Sequence, residues 1–309
     1  MNTLLNFALH EKFKEISKRK PGLQNVHDLI DWTTLTASLP DRTPTNAGRH
    51  PIPHIIMIKV LCLQAWHNLS DEEMEYQCYN RFDFQKFLNY SHIPDARTIW
   101  SYREWLQEED LLDSFWATLQ SEFSKNNIQL KEGKIQDATF VHADPGKAHS
   151  GMDGRGREAK TSRQKDATWT KKGNKSIFGY KAHFKMDNKT KLITEIAVTT
   201  AKTFDGHIDL ADPTDIIARD RGYSNSKTRA KGDATMKKGN LSPREKLRNK
   251  RIAKYRSRGE HPLGTINRMF KGGRTKLTTT GRVFVQQIFQ FAVYNMHRLA
   301  FLTRQPSVS

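Results

Sequence analysis

The stretch GKIQDATFVHA, residues Gly133–Ala143, predicts a short β-strand with a carboxylate at its centre. Ile135, Asp137 and Val141 share one face of this strand by their alternation, and a glycine and a proline bound the stretch. An aspartate is unfavourable in a strand by propensity. We therefore expect Asp137 to be there for chemistry rather than for packing.

The positive charge of the chain is concentrated in two segments. The 309 residues carry a formal net charge of +18. Residues 145–185 contain 11 Lys and Arg against three acidic residues, and residues 221–276 contain 18 against three, so the remainder is net negative. Basic segments beside an acidic site favour a polyphosphate backbone held over a metal centre. The charge distribution therefore predicts a nucleic acid as the partner.

The composition argues against a membrane protein and against a zinc-binding one. No stretch approaches the roughly 20 apolar residues that a membrane span needs, and the N-terminal segment lacks the cleavage site of a secretory signal. The only cysteines, Cys62 and Cys78, have no neighbouring Cys or His pairs. We expect reduced thiols in a cytoplasmic, nucleoid-associated protein without a membrane partner.

Residues 1–130 read as an all-α N-terminal domain. The segment HIIMIKVLCLQAWHNL at residues 54–69 is apolar nearly all round, which is typical of a buried central helix. Two short helices flank residues 89–95, and the second carries Arg97 and Arg103. This arrangement predicts either a helix-turn-helix that reads DNA ends or a plain helical scaffold.

Residues 131–309 change to a β pattern. After the first strand, Ser176–Met186 and Leu192–Thr200 alternate as two further strands around a DNKTK hairpin turn. Residues 201–214 leave room for a brief helix only, and Asp215–Asp220 (DIIARD) is a buried strand that ends in a carboxylate. The order β-β-β-α-β-α predicts an α/β, ribonuclease-H-like mixed sheet. A capping box at Ser242 opens a basic helix after it.

Three carboxylates are the candidate catalytic residues and metal ligands: Asp137, Asp220 and Glu260. Carboxylates that converge without a cation repel each other, whereas magnesium prefers oxygen ligands. Two divalent ions on either side of a phosphodiester activate the attacking oxygen and stabilise the leaving one. We therefore expect two magnesium ions, with manganese as a substitute.

Each of these residues also has a structural interpretation. In this interpretation Asp137 is a strand-end residue hydrogen-bonded to a turn, Asp220 caps the turn RDRG, and Glu260 is a solvated helix residue. Asp205 is a competing second ligand, with capping of the short helix as its alternative role.

Basic and aromatic residues in the same segments are candidate DNA contacts. Trp169 is followed by lysines and either stacks on a base or anchors a loop. The full candidate set is Arg97, Arg103, Trp169, Lys171, Lys172, Lys246, Arg248, Lys250, Arg251, Arg256 and Arg268.

These motifs together resemble the DDE transposases of insertion sequences, specifically the IS-five group. The matching pieces, in chain order, are IPDARTIWSYREWL, QDATFVHA, WTKKGNKSIFGYKAH, IIARDRGY and the long basic segment GDATMKKGNLSPREKLRNKRIAKYRSRGEHPLGTINRMF. The resemblance spans most of the chain, and its specificity lies in the order and joint presence of the pieces.

The resemblance assigns the three acids to Asp137, Asp220 and Glu260, and the family's arginine before the glutamate to Arg256. It implies a metal-dependent enzyme that nicks the ends of its own element and joins the 3′-hydroxyls to target DNA. It also implies a homodimer or larger assembly that pairs two DNA ends.

Two other hypotheses fit the same residues. The first is a ribonuclease-H-like nuclease that cuts without joining. The second is a catalytically decayed remnant that binds DNA only, and whose binding survives loss of all three carboxylates.

Overall fold

The computed structural model describes residues 11, 14–15, 22–42, 50–131, 133–146 and 166–304. The chain divides into two compact units. The first comprises Met1–Ile128 together with Ala292–Ser309, and the second comprises Gln129–Phe291. The last segment of the chain, which the sequence prediction assigned to the second domain, thus groups with the first unit.

The first unit is helical throughout its described elements. Its helices are α1 Gly22–Leu29, α2 Trp32–Thr36, α3 His54–His67, α4 Asp71–Asn80, α5 Phe82–Phe87, α6 Ala96–Glu108 and α7 Leu112–Lys125. Helix α3 has buried residues on all sides, as its apolar sequence predicts. Asp95 caps α6 by accepting a hydrogen bond from the Thr98 backbone N–H at 2.6 Å. Cys62 and Cys78 are buried free thiols in this unit.

The second unit is built on a six-stranded mixed sheet. Its strands are β1 Gly133–His142, β2 Thr168–Lys172, β3 Lys175–Asp187, β4 Ile193–Thr200, β5 Ile216–Arg219 and β6 Gly232–Thr235. Helices α8 Pro243–Arg256 and α9 Glu260–Met269 follow, with a single 3₁₀ turn at Ser257–Gly259 between them. The last helix, α10 Thr280–Leu302, begins in this unit, and its residues from Ala292 onward belong to the first unit.

The sheet combines antiparallel and parallel pairing. β3 pairs antiparallel with β1, β2 and β4, whereas β5 lies parallel to β1, and β6 lies parallel to β5. The core of the unit includes Ile135, Phe184 and Ile217 from the strands, with Ile266 and Phe291 from the helices. This pairing brings the end of β5 next to the middle of β1.

The observed element order departs from the predicted β-β-β-α-β-α in three places. β2 lies in a stretch that was predicted to be irregular, since its exposed lysines hide the alternation of a strand. The segment becomes a strand because it forms a hairpin with β3. β6 reads GDAT, a sequence of poor strand propensity that is ordered by pairing with β5. Between β4 and β5 there is only a 3₁₀ turn, Asp205–His207, instead of an α-helix.

Helix α8 begins with the predicted capping box. Ser242 accepts a hydrogen bond from the Glu245 N–H, and the Glu245 carboxylate accepts one from the Ser242 N–H at 3.0 Å. Within the described residues, no helix has both the length and the apolar character needed to cross a bilayer.

Candidate active site

Two aspartates meet where β1 and β5 run side by side. The parallel register pairs Gly133 with Ile216 and Ile135 with Ala218. Two residues further along this register come Asp137 and Asp220, the latter just past the carboxyl end of β5, and the charge of Asp220 acts on Asp137. Open α/β sheets commonly bind ligands at this end of their strands. The two carboxylates predicted to act together are therefore neighbours across the sheet.

Asp137 is held by a cation and by the backbone. Its Oδ2 atom lies 2.7 Å from Nη2 of Arg256, and its Oδ1 atom accepts a hydrogen bond from the Ala138 N–H. Burial raises the pKa of Asp137, Arg256 lowers it, and the charges of Asp220 and Asp205 raise it again, so that the pKa ends above its ordinary value. Burial is thus the main cause of the raised pKa, and the two neighbouring aspartates add to it.

Asp220 caps the 3₁₀ turn Arg221–Tyr223. Its Oδ1 atom accepts a hydrogen bond from the Gly222 N–H at 2.6 Å. The predicted turn-capping role is thus present, and it fixes one carboxylate oxygen. The second oxygen makes none of the described hydrogen bonds. Asp220 can therefore cap the turn with one oxygen and bind a metal ion with the other.

Asp205 belongs to the same acidic cluster. Its Oδ1 atom lies 2.8 Å from the Nζ atom of Lys181, a side chain that is largely buried. Its Oδ2 atom lies 3.3 Å from the point where a Cβ atom on Gly222 would stand, and Asp220 Oδ1 lies 2.8 Å from that point. The Asp205 side chain makes none of the described caps of its own 3₁₀ turn.

Glu260 is exposed at the start of α9. The residue before it, Gly259, packs against Ile135, and a Cβ atom there would approach Ile135 Cγ2 to 3.3 Å. Ile135 and Asp137 share one face of β1 because side chains alternate along a strand. No hydrogen bond or ion pair joins Glu260 to either aspartate in the described part of the chain.

Two protein-family models match this chain. Residues 11–105 match the transposase domain (DUF772), and residues 129–296 match the transposase DDE domain. The second match covers more than half of the 309 residues. The chain belongs to the DDE transposase family. No solved structure matches it.

Membership of this family defines the chain as an enzyme. DDE transposases cleave DNA and transfer its strands, their catalytic domain has a ribonuclease-H-like fold, and they generally use divalent metal ions. The mixed sheet after a helical N-terminal region agrees with this class of fold.

The donor set of this DDE transposase suits a hard divalent cation. Asp137 and Asp220 supply carboxylate oxygens, and burial, with the charges of Asp220 and Asp205, raises the pKa of Asp137. Over the described residues, no three His, Cys, Asp or Glu side chains converge on one point. Magnesium is commonly held by one or two carboxylates and takes its remaining ligands from water and substrate phosphate, so the arrangement fits it.

Three of the predicted DNA contacts in the transposase are engaged within the protein. Both terminal nitrogens of Arg103 bind the Asp71 carboxylate, at 2.5 and 2.7 Å. Arg248 donates to the Thr235 backbone carbonyl at 2.8 Å and thereby ties α8 to β6. Arg256 holds Asp137, as described above.

The other predicted DNA contacts are exposed. Trp169 is 47% exposed and packs one side of its ring near Phe178. The Nζ atom of Lys172 lies 5.7 Å from the centre of the Phe140 ring. The exposed set is Arg97, Trp169, Lys171, Lys172, Lys246, Lys250, Arg251 and Arg268.

Sequence reasoning missed two residues of this site, Lys181 and Tyr223. Lys181 reaches Asp205 across 24 positions of sequence, and only the register of β3 shows that the two meet. Tyr223 follows Asp220 in the motif RDRGY, and this short spacing was the available signal. Its side chain is 1% exposed and lies among the aspartates of the site.

Proposed function

We propose that this protein is a transposase of the IS-five insertion-sequence group. In this proposal it cleaves DNA at the ends of its element and joins the resulting 3′-hydroxyls to target DNA. The single observation that carries the proposal is the juxtaposition of Asp137, in the middle of β1, and Asp220, at the end of the neighbouring parallel strand β5. Its setting is a chain of the DDE family with a strongly basic second half.

Asp137, Asp220 and Glu260 would hold two magnesium ions, with manganese as a substitute. When bound, such ions supply Lewis-acid activation of the attacking oxygen and stabilisation of the leaving oxygen. Glu260 opens a helix that follows the Gly259–Ile135 contact, and this location supports its assignment as the third carboxylate.

The protein's own groups orient the site and hold DNA. Arg256 fixes the direction of the Asp137 carboxylate through its 2.7 Å contact. The exposed Lys246, Lys250 and Arg251 on α8 bind the DNA backbone by charge. The partner is double-stranded DNA in the nucleoid, and catalysis takes place in a homodimer or larger assembly that pairs two ends.

Recognition of the terminal repeats is assigned to the helical unit. Arg97 is exposed near the start of α6 and suits this role. Arg103 lies on the same helix but is committed to Asp71, so it has to leave that carboxylate before it contacts DNA.

The test is a cleavage and strand-transfer assay on DNA that carries the element's own ends, with magnesium or manganese. Asp137→Asn, Asp220→Asn and Glu260→Gln are each expected to reduce both products by several orders of magnitude while DNA binding persists. Asp83→Asn removes a carboxylate bound to Arg81 in the helical unit and serves as the control.

The outcomes separate the competing functions. If the wild-type protein cuts DNA but never joins pre-cut ends, it is a nuclease without transfer activity. Binding without cutting in either metal ion indicates a decayed remnant. Full activity of one carboxylate variant contradicts the assignment of that carboxylate.

A further inference from the structure

The Lys181–Asp205 pair is a built feature beside the two aspartates of the proposed active site. Lys181 lies on β3, is 8% exposed, and donates to Asp205 Oδ1 at 2.8 Å and to the Thr203 carbonyl at 2.7 Å. The Thr203 carbonyl and the Asp205 carboxylate together fix the position of the Lys181 ammonium group. The ammonium group in turn holds the Asp205 carboxylate in place. Asp205 therefore presents its second oxygen in one direction.

The chain around Asp205 is anchored to the strand that carries Asp137. The fully buried Gln136 donates to the Ile208 carbonyl at 2.6 Å and accepts from the Leu210 N–H at 3.3 Å. These two bonds attach the segment after the 3₁₀ turn directly beside Asp137. The position of Asp205 is thus set by β1 and β3 together.

Gly222 keeps the space between Asp205 and Asp220 open. A Cβ atom at this residue would stand 2.8 Å from Asp220 Oδ1 and 3.3 Å from Asp205 Oδ2. The two carboxylates therefore flank one small space, which stays open because Gly222 has no side chain.

A buried hydroxyl without a partner points at the same cluster. Tyr223 is 1% exposed, and its hydroxyl has no hydrogen-bond partner among the described residues. The Gln136 side chain, which bonds to the backbone of Ile208 and Leu210, approaches this hydroxyl and lowers its pKa. The charges that act most strongly on the hydroxyl come from Asp205 and Asp137, followed by Asp220. A buried hydroxyl without a hydrogen-bond partner destabilises the folded protein unless a water or a ligand satisfies it. We therefore expect a water or another polar group between the Tyr223 hydroxyl and the aspartates.

We propose that Asp205 is a positioning residue of the metal centre, and that it accepts a hydrogen bond from water in the shell of a cation held by Asp137 and Asp220. Magnesium retains several of its waters when bound to protein, and carboxylates outside the ligand shell orient such waters. Lys181 sets the direction of the Asp205 carboxylate, and the Tyr223 hydroxyl faces the same water. The proposal rests on the proposed function of Asp137 and Asp220.

The same strand offers a matched pair outside the site. Lys185 lies four residues after Lys181 on β3, is buried, and binds Asp212 at 2.5 Å and Asp215 at 3.0 Å. Asp212→Asn therefore removes a lysine-bound carboxylate of the same kind, without touching the acidic cluster. Lys185 keeps Asp215 as a partner in this variant, so Asp212→Asn controls for the loss of one lysine-bound carboxylate on the same strand.

The experiment measures manganese binding to the full-length protein without DNA, by electron paramagnetic resonance of the free ion. Asp205→Asn is expected to weaken binding about 10- to 100-fold, and Asp212→Asn is expected to leave it unchanged. Tyr223→Phe, which removes only the hydroxyl, is expected to weaken binding in the same direction. Circular dichroism checks that each variant is folded.

A second readout separates positioning from a general structural effect. At saturating manganese, the relaxation of solvent water protons reports the waters on the bound ion. Asp205→Asn is expected to change this relaxation, and Asp212→Asn is not.

Wild-type affinity and wild-type relaxation in Asp205→Asn, together with lost binding in Asp137→Asn, overturn the role of Asp205 and leave the proposed function standing. Wild-type affinity in Asp137→Asn overturns the metal site itself.

Discussion

Asp137 is a charged residue in a strand that is otherwise adapted to packing. Its neighbours on β1 include the fully buried Ile135 and Gln136, and burial alone raises the pKa of Asp137. Arg256 compensates part of this penalty, while Asp220 and Asp205 add to it. A natural sequence keeps such a locally unfavourable residue where function requires it. The conflict between strand propensity and a central aspartate is visible in the sequence alone, and it is what makes Asp137 a candidate.

Gly222 gives the sharpest test at the residue scale. Gly222→Ala is expected to displace the Asp220 and Asp205 carboxylates, because the added methyl group would lie 2.8 and 3.3 Å from their oxygens. Strand transfer should fall at least about 10-fold, since misplacement of about 1 Å has large effects on catalysis. The measurement is the initial rate of joining with pre-cut DNA ends.

Gly22→Ala, in α1, is the control for this substitution. Its added methyl group meets only Trp66, at an ordinary van der Waals distance of 3.7 Å, and alanine favours a helix over glycine by up to about 1 kcal/mol. Its joining rate should equal that of the wild type. An unchanged rate in Gly222→Ala would mean that the two carboxylates need not stand as close as they do.

At the scale of single elements, the sequence predicted what each segment encodes by itself. The strands around Asp137 and before Asp220 were predicted within about one residue of their observed bounds, because alternation and β-branched residues mark them. β6 was missed because it depends on β5 for its order. The Lys181–Asp205 contact was missed for the same reason, since strand register decides it. The role of Arg256 came from a family resemblance, and its contact with Asp137 came from the structure.

Helix α8 depends on its first turn to present its basic face. Lys237 and the backbone and hydroxyl of Ser242 stabilise the Glu245 carboxylate and lower its pKa to about 2. A carboxyl group with a depressed pKa stabilises the fold fully above its unfolded pKa, and loses that effect as the pH falls. The contribution of the capping box should therefore be complete above about pH 4.5 and be lost towards pH 2.

The measurement for this prediction is the NMR titration of the Glu245 side chain, read together with the amide signals of the first turn of α8. Lys237→Gln keeps the capping box but removes the largest cause of the shift, so the midpoint should rise towards the ordinary value. Glu245→Gln should remove the pH dependence of those amides. A wild-type midpoint near pH 4.5 would contradict the contacts of Glu245.

At the scale of the whole molecule, the positive charge is concentrated in two segments of the chain. The formal net charge is +18, yet the segments outside residues 145–185 and 221–276 are net negative. Proteins that bind DNA mainly through phosphates release condensed counterions, and their affinity falls with salt in proportion to the number of contacts. A chain with this charge distribution should therefore bind DNA with a steep dependence on salt.

The contribution of α8 to that dependence can be isolated. Lys250 and Arg251 are exposed on this helix and make none of the described hydrogen bonds or ion pairs. The double variant Lys250→Gln/Arg251→Gln should lower the slope of log K against log salt by about 2, since each phosphate contact contributes about 1. Fluorescence anisotropy over a series of potassium chloride concentrations measures this slope.

The control removes the same charge outside the two basic segments. Lys131 and Lys189 have exposed side chains just before β1 and in the turn between β3 and β4. If net charge alone governed binding, Lys131→Gln/Lys189→Gln would change the slope as much as the α8 double variant. If α8 contacts phosphates directly, only its own variant lowers the slope, and the binding that remains at high salt is equal in the two proteins. Equal slopes would therefore refute a DNA contact through α8.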